Sequence, residues 1–267
     1  MIWLKGDVHC HSKLSDGDSS VKDVLDEAKK RAKLDFLAIT DHDTHFQDHP
    51  ESITTWSDPS YVSSLELVLL YGIEWTDSEG HANIWAPQAY DYSAIWATNE
   101  NKDPDTAIEL SHQQAALFSY NHPASRDPWT LATSPKADCV EIWNSVDDFN
   151  HNFEATFKFW DDLLLRFGKR ITAVGGSDMH NLHGVSSSII KFGRPRVWVL
   201  SEGRTQQDIL HAIKAGRVTI GATEDTARLD MKADRDLNGI YDTFLGDIVS
   251  FSANAQVDFQ ITIGLHL

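Results

Sequence analysis

Two stretches decide the fold: Ile2-Trp3-Leu4-Lys5-Gly6-Asp7-Val8-His9-Cys10-His11 and Phe36-Leu37-Ala38-Ile39-Thr40-Asp41-His42-Asp43. Residues 2–10 read as a buried strand, and Phe36–Thr40 is a continuous apolar run of strand length. Residues 19–33 between them read as a helix. Val21, Val24, Leu25, Ala28 and Ala32 fall on one face, and Ser20 stands three residues before Asp23 in a capping-box-like start. Strand, helix, strand is a βαβ unit, and it predicts a parallel sheet.

Further apolar runs follow at Leu67–Ile73, Ala82–Ala86, Ala116–Tyr120, Cys139–Trp143, Ile171–Gly175 and Val197–Leu200, with the clearest helical stretches at 150–167 and 205–215. Repeated β then α predicts a (β/α) barrel or a doubly wound sheet over residues 1–216. After 216 the pattern changes. Arg217–Ala222, Phe244–Phe251 and Val257–Gly264 read as strands with no good helix between them, so residues 217–267 read as a small β extension. Its last, alternating strand either pairs with the body or belongs to a longer chain.

The 267 residues, 41% of them hydrophobic, suffice for one large α/β domain or a domain with a small appendage. No apolar run approaches the ~20 residues of a membrane helix. Lys+Arg 23 against Asp+Glu 40 gives −17, which argues against a nucleic-acid backbone or an anionic membrane as partner. Two Cys make no disulfide framework, and Met1–Gly6 carries no signal-peptide pattern, so the cytoplasm is the expected location. Thirteen His in an acidic chain with few Cys are what a carboxylate-imidazole metal site would look like.

Polar residues end the strands consistently. His9 and His11 share one side of their strand, ~6–7 Å apart along it. Asp41-His42-Asp43 closes the next strand and Glu74 follows Leu69–Ile73; His81, His122, Asp178 and His180 come after later runs. Strand C-termini meet on one face of an α/β barrel. Mixed imidazole and carboxylate suit Zn, Mn or Fe, and the absence of thiolates argues against a structural zinc. Six His (9, 11, 42, 81, 122, 180) with Asp16, Glu74 and Asp178 are too many for one ion, and two or three ions sharing carboxylates account for them. Such centres clamp the oxygens of a hydrolysis.

His9-Cys10-His11-Ser12, Ser15-Asp16-Gly17, Ile39-Thr40-Asp41-His42, Gly72-Ile73-Glu74, Asn121-His122-Pro123 and Gly176-Ser177-Asp178-Met179-His180 together resemble, in order, the motifs of the polymerase-and-histidinol-phosphatase (PHP) superfamily. Gly80-His81-Ala82-Asn83, Val140-Glu141-Ile142-Trp143-Asn144 and the β extension resemble its carbaryl-hydrolase-like branch. The resemblance implies a distorted (β/α)7 barrel and a hydrolase with two or three divalent ions. Carried over, His9, His11, Glu74 and Asp178 hold the first ion, Glu74 bridges to a second with His81 and His122, and Asp16, His42 and His180 hold a third. His180, His42 and Asp178 form the implied catalytic set, with His180, His42 or a metal-bound water as general acid. A metal-bound hydroxide attacks phosphorus or a carbonyl carbon.

Clustered ions invert a local acidic field, so a small anionic substrate remains compatible with the net charge. Arg126 and Lys13 are the cations best placed to meet a phosphate, Arg126 equally a partner for Asp127. Trp75, Trp85, Trp129 and Trp143 flank motif residues and either line an apolar pocket or pack the barrel. Asp41 either orients a ligand or caps a turn; Glu141 reads as structural or supporting. His45, His49, His112, His151, His183, His211 and His266 have no assigned role. Asp234, Asp236, Asn238 and Asp242 follow a D-x-D-x-N-G calcium-loop pattern, but Leu245 stands at the twelfth position, leaving a calcium-stabilised turn or an ordinary one. The expected function is a phosphoesterase on small-molecule phosphate esters. The alternatives are an ester, amide or carbamate hydrolase using the same site, and a non-catalytic metal-binding or interaction protein.

Overall fold

The computed structural model describes residues 1–44, 54–124, 128–145, 153–183, 192–223 and 225–264. Its first unit is the expected one. Strand β1 (Ile2–Asp7) leads to helix α1 (Val21–Lys30) and back to β2 (Phe36–Ile39), which pairs parallel with β1. Ser20 caps α1 by accepting from the Asp23 N–H, and Val21, Val24 and Ala28 bury the apolar stripe.

Ten further strands follow: β3 (Val68–Asp77), β4 (Gly80–Ala86), β5 (Leu117–Tyr120), β6 (Cys139–Asn144), β7 (Thr172–Gly176), β8 (Arg196–Ser201), β9 (Val218–Gly221), β10 (Arg228–Asp234), β11 (Thr243–Phe244) and β12 (Asp258–Gly264). Among the described residues the other α-helices are α2 (Ser93–Glu100), α3 (Pro104–Gln113), α4 (Phe153–Phe167) and α5 (Gln206–Lys214). Nine strands form one sheet, in the order β7-β6-β5-β4-β3-β2-β1-β8-β9. Past its ends the sheet curls shut: the Asp178 N–H donates to the His9 carbonyl (2.8 Å) and the His11 N–H to the Met179 carbonyl (2.9 Å). The chain after β7 thus closes onto the chain after β1, giving the distorted barrel expected from the sequence.

The sheet is mixed rather than parallel throughout. β3 turns directly into β4 without a helix, β4 runs antiparallel to both β3 and β5, β8 runs antiparallel beside β1, and β9 runs antiparallel beside β8. One end of the barrel is plugged. Ile209, Leu210, Ala212 and Ile213 of α5 share a core with Leu4, Phe36, Leu70, Trp85, Leu117, Cys139 and Val174, drawn from seven strands. Burying such side chains stabilises by roughly 1.5–3 kcal/mol each. Polar groups are left to the other end.

β9 belongs to the large sheet, and a separate three-stranded sheet, β11-β10-β12, begins only at Arg228. The Arg228 guanidinium lies 4.5 Å over the Trp3 ring and ties this sheet to β1. At the calcium-like loop, the Asp234 carboxylate accepts from the Asp236 (3.3 Å), Asn238 (3.2 Å) and Gly239 (2.7 Å) N–H groups. Asp234, Asp236 and Asp242 do not converge as a ligand set among the described residues. No helix of the described residues is long and apolar enough to cross a membrane.

Candidate metal centre

The open end of the barrel collects the imidazoles and carboxylates singled out above. β1 stops at Asp7, and the next carbonyl, Val8, leaves the ladder to accept from Trp85 Nε1 (2.9 Å) and Asn83 Nδ2 (3.3 Å) across the barrel interior. His9 and His11 follow, fully buried, with ring centroids 5.3 Å apart. Asp41 after β2 fixes the loop that carries Asp16: it accepts from the Ser12 N–H (2.7 Å), the Ser12 and Ser15 hydroxyls (2.8 Å each) and the Thr55 hydroxyl (2.9 Å). It is therefore a loop organiser.

Glu74, in the second half of β3, lies at the centre. Its Oε1 is 3.4 Å from His9 Nε2, 3.3 Å from His81 Nδ1 and 3.6 Å from His122 Nε2, and accepts from Asn121 Nδ2 at 2.8 Å. Its Oε2 faces His42 Nδ1 (2.9 Å) and His11 Nε2 (3.4 Å). Asp178 Oδ1 lies 3.2 Å from His9 Nε2 and 3.0 Å from His11 Nε2. At the rim, Asp16 Oδ2 stands 3.2 Å from His180 Nε2 and 3.8 Å from His42 Nε2. His122 and Asp178 hold positive φ, 29° and 50°, a strained geometry for side-chain-bearing residues of the kind that concentrates at functional sites.

Four groupings bring three or more ligand atoms within 4.8 Å: His9, His11 and Asp178; His9, Glu74 and His122; His42, Glu74 and His81; and His11, Asp16, His42 and His180. All nine residues expected as ligands fall in these sets. The partition differs in detail, because His81 and His122 reach Glu74 in separate groupings and His11 also belongs to the rim set. Three buried atoms here, His9 Nε2, His11 Nδ1 and His81 Nδ1, have no hydrogen-bond partner. Buried polar atoms left so are costly, and divalent cations are what this donor chemistry suits.

The field is strong. Burial opposes ionisation of Glu74 and Asp178, yet the surrounding imidazoles (His42, His9 and His81; His9, His11 and His180) hold both carboxyls well below their usual range. Burial likewise depresses histidines, but Glu74 and Asp178 override it and push His42 and His122 up to about 9. For His11 burial wins, helped by His180 and His42 beside it, and its value falls to about 4.

The remaining expectations fare unevenly. Lys13 is exposed on the Asp16 loop, its backbone N–H bonded to the Ser19 carbonyl (2.9 Å), and its ammonium pairs with none of the cluster's carboxylates. Arg126 lies outside the described residues, as do His45, His49, His151 and His266. Of the aromatic residues, Trp75, Trp85 and Trp129 are buried packing elements, while Trp143 is half-buried with its ring edge-on to Phe153. Two supports escaped the sequence reading. Asn121 donates to Glu74, and Thr76 Oγ1 lies 2.8 Å from His42 Nδ1. Nothing in one sequence separates such an Asn or Thr from an ordinary one.

No family model and no curated protein matches this sequence. Solved structures do. A two-domain protein from Bacteroides vulgatus containing a predicted PHP-like metal-dependent phosphoesterase shares the fold, with TM-score 0.62 and 23% identity over 84% of this chain and 66% of that one. The chain thus spans just under two thirds of that protein. A Bifidobacterium adolescentis protein provisionally named a metal-dependent phosphoesterase matches at TM-score 0.45 and 14% identity, covering 80% of this chain and 96% of that one. Endonuclease Q, bound to a duplex with an abasic lesion, matches at 0.47 and 18%, covering 80% and 57%.

Proposed function

We propose that this chain is a PHP-type metal-dependent hydrolase acting on small-molecule phosphate esters. The observation that carries the reading is Glu74: one buried carboxylate whose two oxygens face two different groups of imidazoles, as a carboxylate shared between ions must. The order of the sequence motifs supports it, as does the fold shared with the phosphoesterase-containing Bacteroides vulgatus protein.

In this reading His9, His11, Glu74 and Asp178 hold one ion and Glu74, His81 and His122 a second. The rim trio of Asp16, His42 and His180 holds a third or, where it carries none, supplies the proton for the leaving group. Divalent ions there supply Lewis acidity for the substrate oxygen and a water activated at neutral pH. The protein's own residues do the rest. Asn121 holds Glu74 in register, and Asp41 holds the Asp16 loop over the mouth. His180, partly exposed and 3.2 Å from the Asp16 carboxylate, is the group open to a substrate at the rim. Arg126 is assigned to the substrate phosphate.

The carboxylic ester, amide or carbamate reading drew on an aromatic rim. Trp75, Trp85 and Trp129 are buried in the core, which leaves that reading the half-buried Trp143 and the resemblance to the carbaryl-hydrolase-like branch. A pair of assays decides between them: p-nitrophenyl phosphate and a naphthyl ester, each with Mn, Zn or Fe. Turnover of the phosphate, lost in Glu74→Gln, is the expected result. Turnover of the ester alone overturns the phosphoesterase assignment, and turnover of neither across phosphoester and ester panels leaves a metal-binding protein.

A further inference from the structure

Glu141, on β6, is not among the expected ligands, yet its carboxylate is 1% exposed and three donors converge on it. Oε1 lies 2.9 Å from His9 Nδ1. Oε2 accepts from the His122 backbone N–H (3.2 Å) and from Asn144 Nδ2 (3.1 Å). The same Asn144 amide reaches Asp178 Oδ2 at 3.1 Å. Glu141 thus touches the segments that carry His9 and His122 directly, and the one that carries Asp178 through Asn144, although the three lie far apart in sequence. The local backbone is shaped for it. The β6–β7 register shifts between Glu141 and Trp143, and Gly176 on β7 leaves the space: a Cβ there would stand 2.6 Å from Glu141 Oε1 and 2.4 Å from His9 Cβ.

We infer that Glu141 is the positioning residue of this centre. It holds the His9 proton on Nδ1, so that Nε2 presents its lone pair to the space shared with Glu74 and Asp178, and with Asn144 it braces His122 and Asp178 in their strained backbone conformations. His9 Nε2, buried without a hydrogen-bond partner and 3.2 Å from Asp178 Oδ1, points where such a lone pair is needed. A second carboxylate behind a metal-binding imidazole fixes its tautomer and orientation, and losing one typically costs about 10- to 100-fold in metal affinity or activity. The inference rests on the metal-centre reading above.

The test uses the full chain stripped of metal and titrated with zinc, comparing wild type with Glu141→Gln and Asn144→Ala. The expected result is a tightest zinc affinity about 10- to 100-fold weaker in Glu141→Gln and less weakened in Asn144→Ala, with the metal-free melting temperature nearly unchanged. Should Glu141→Gln fail to fold, ¹H–¹⁵N correlation on the zinc-loaded wild type still decides: His9 must carry its proton on Nδ1. A His9 proton on Nε2, or unchanged zinc affinity in a folded Glu141→Gln, overturns the positioning role and leaves the metal centre standing. A wild type that binds no zinc overturns the metal centre itself, and the inference with it.

Discussion

His81 Nδ1 lies 3.3 Å from Glu74 Oε1 although the hairpin register pairs His81 with Thr76 and Glu74 with Asn83. The relationship is diagonal. Residues 74 and 76 on β3 and 81 and 83 on β4 share the inner face, so a long imidazole reaches the carboxylate two positions along. His81→Ala removes one side of the Glu74 cluster without touching the core. The expected outcome is a loss of activity of at least about 100-fold, scaled from what supporting residues alone cost. Steady-state kinetics beside a thermal melt of the metal-free protein check it, and a large drop in melting temperature with activity retained per folded molecule would speak against it.

Metal binding should displace protons. Without metal, Glu74 and Asp178 overcome the effect of burial and keep His42 and His122 protonated up to about 9, whereas a ligand imidazole must be neutral. Apparent metal affinity is therefore expected to climb from pH 7 to about 9 and then level off. Calorimetric titration in buffers of different ionisation heat reads the protons released; heat independent of buffer would contradict the assignment.

The same two groups contribute to the pH dependence of metal-free stability, in the same direction as His9 and His180, whose values are also raised, against burial, by the carboxylates around them. The folded values of His42 and His122 lie above the unfolded value of about 6.5, so their contribution is complete below that pH and is lost as pH rises through about 9. The metal-free protein should become easier to unfold across this window, and the metal-loaded protein should not. Urea midpoints at several pH values between 6 and 9 compare the two.

Asp138 provides an acid-side counterpart far from the mouth. It accepts from His112 Nε2 (2.8 Å) and the Phe118 N–H (3.0 Å) and pairs with Lys214 Nζ (3.0 Å), joining α3, β5 and α5. Burial raises its value, but these partners outweigh burial and lower it overall. Its contribution is present above an unfolded value of about 3.9 and is lost as pH falls below that. Asp138→Ala should cost about 1–3 kcal/mol at neutral pH and leave metal content per folded molecule intact. Metal content lost in a folded variant would show that Asp138 acts on the centre after all.

Gly176→Ala tests how closely β7 must approach the site. The added methyl collides with His9 Cβ and Glu141 Oε1, and overpacking of this kind costs typically about 1–3 kcal/mol. Because the collision falls on His9, metal affinity should fall with stability. A variant as stable and as metal-avid as wild type would mean the strand can shift without consequence.

Much of this centre was legible because each strand end carries its own chemistry. His9, His11, His42, Glu74, His122, Asp178 and His180 follow apolar runs that become strands or their immediate extensions, and barrel closure then brings them together. His81 reaches the cluster by a different geometry from the one expected: it enters at the start of an antiparallel strand, not the end of a parallel one, and only the hairpin register reveals that. Strand β10 escaped because Arg228-Leu229-Asp230-Met231-Lys232-Ala233-Asp234 alternates charge and apolar residues too weakly to mark a strand until its partner β12 is known. The Trp residues illustrate the opposite failure. Adjacency in sequence to a ligand says little where a strand points neighbours to opposite faces, as Trp75 beside Glu74 shows.

Whether one carboxylate is shared between ions is read from elemental analysis of the purified protein after reconstitution with Zn, Mn or Fe, for wild type and Glu74→Gln. Two or three equivalents of metal per chain are expected in the wild type, with a marked loss in the variant. No bound metal in the wild type, or full metal content in a folded Glu74→Gln, would contradict it.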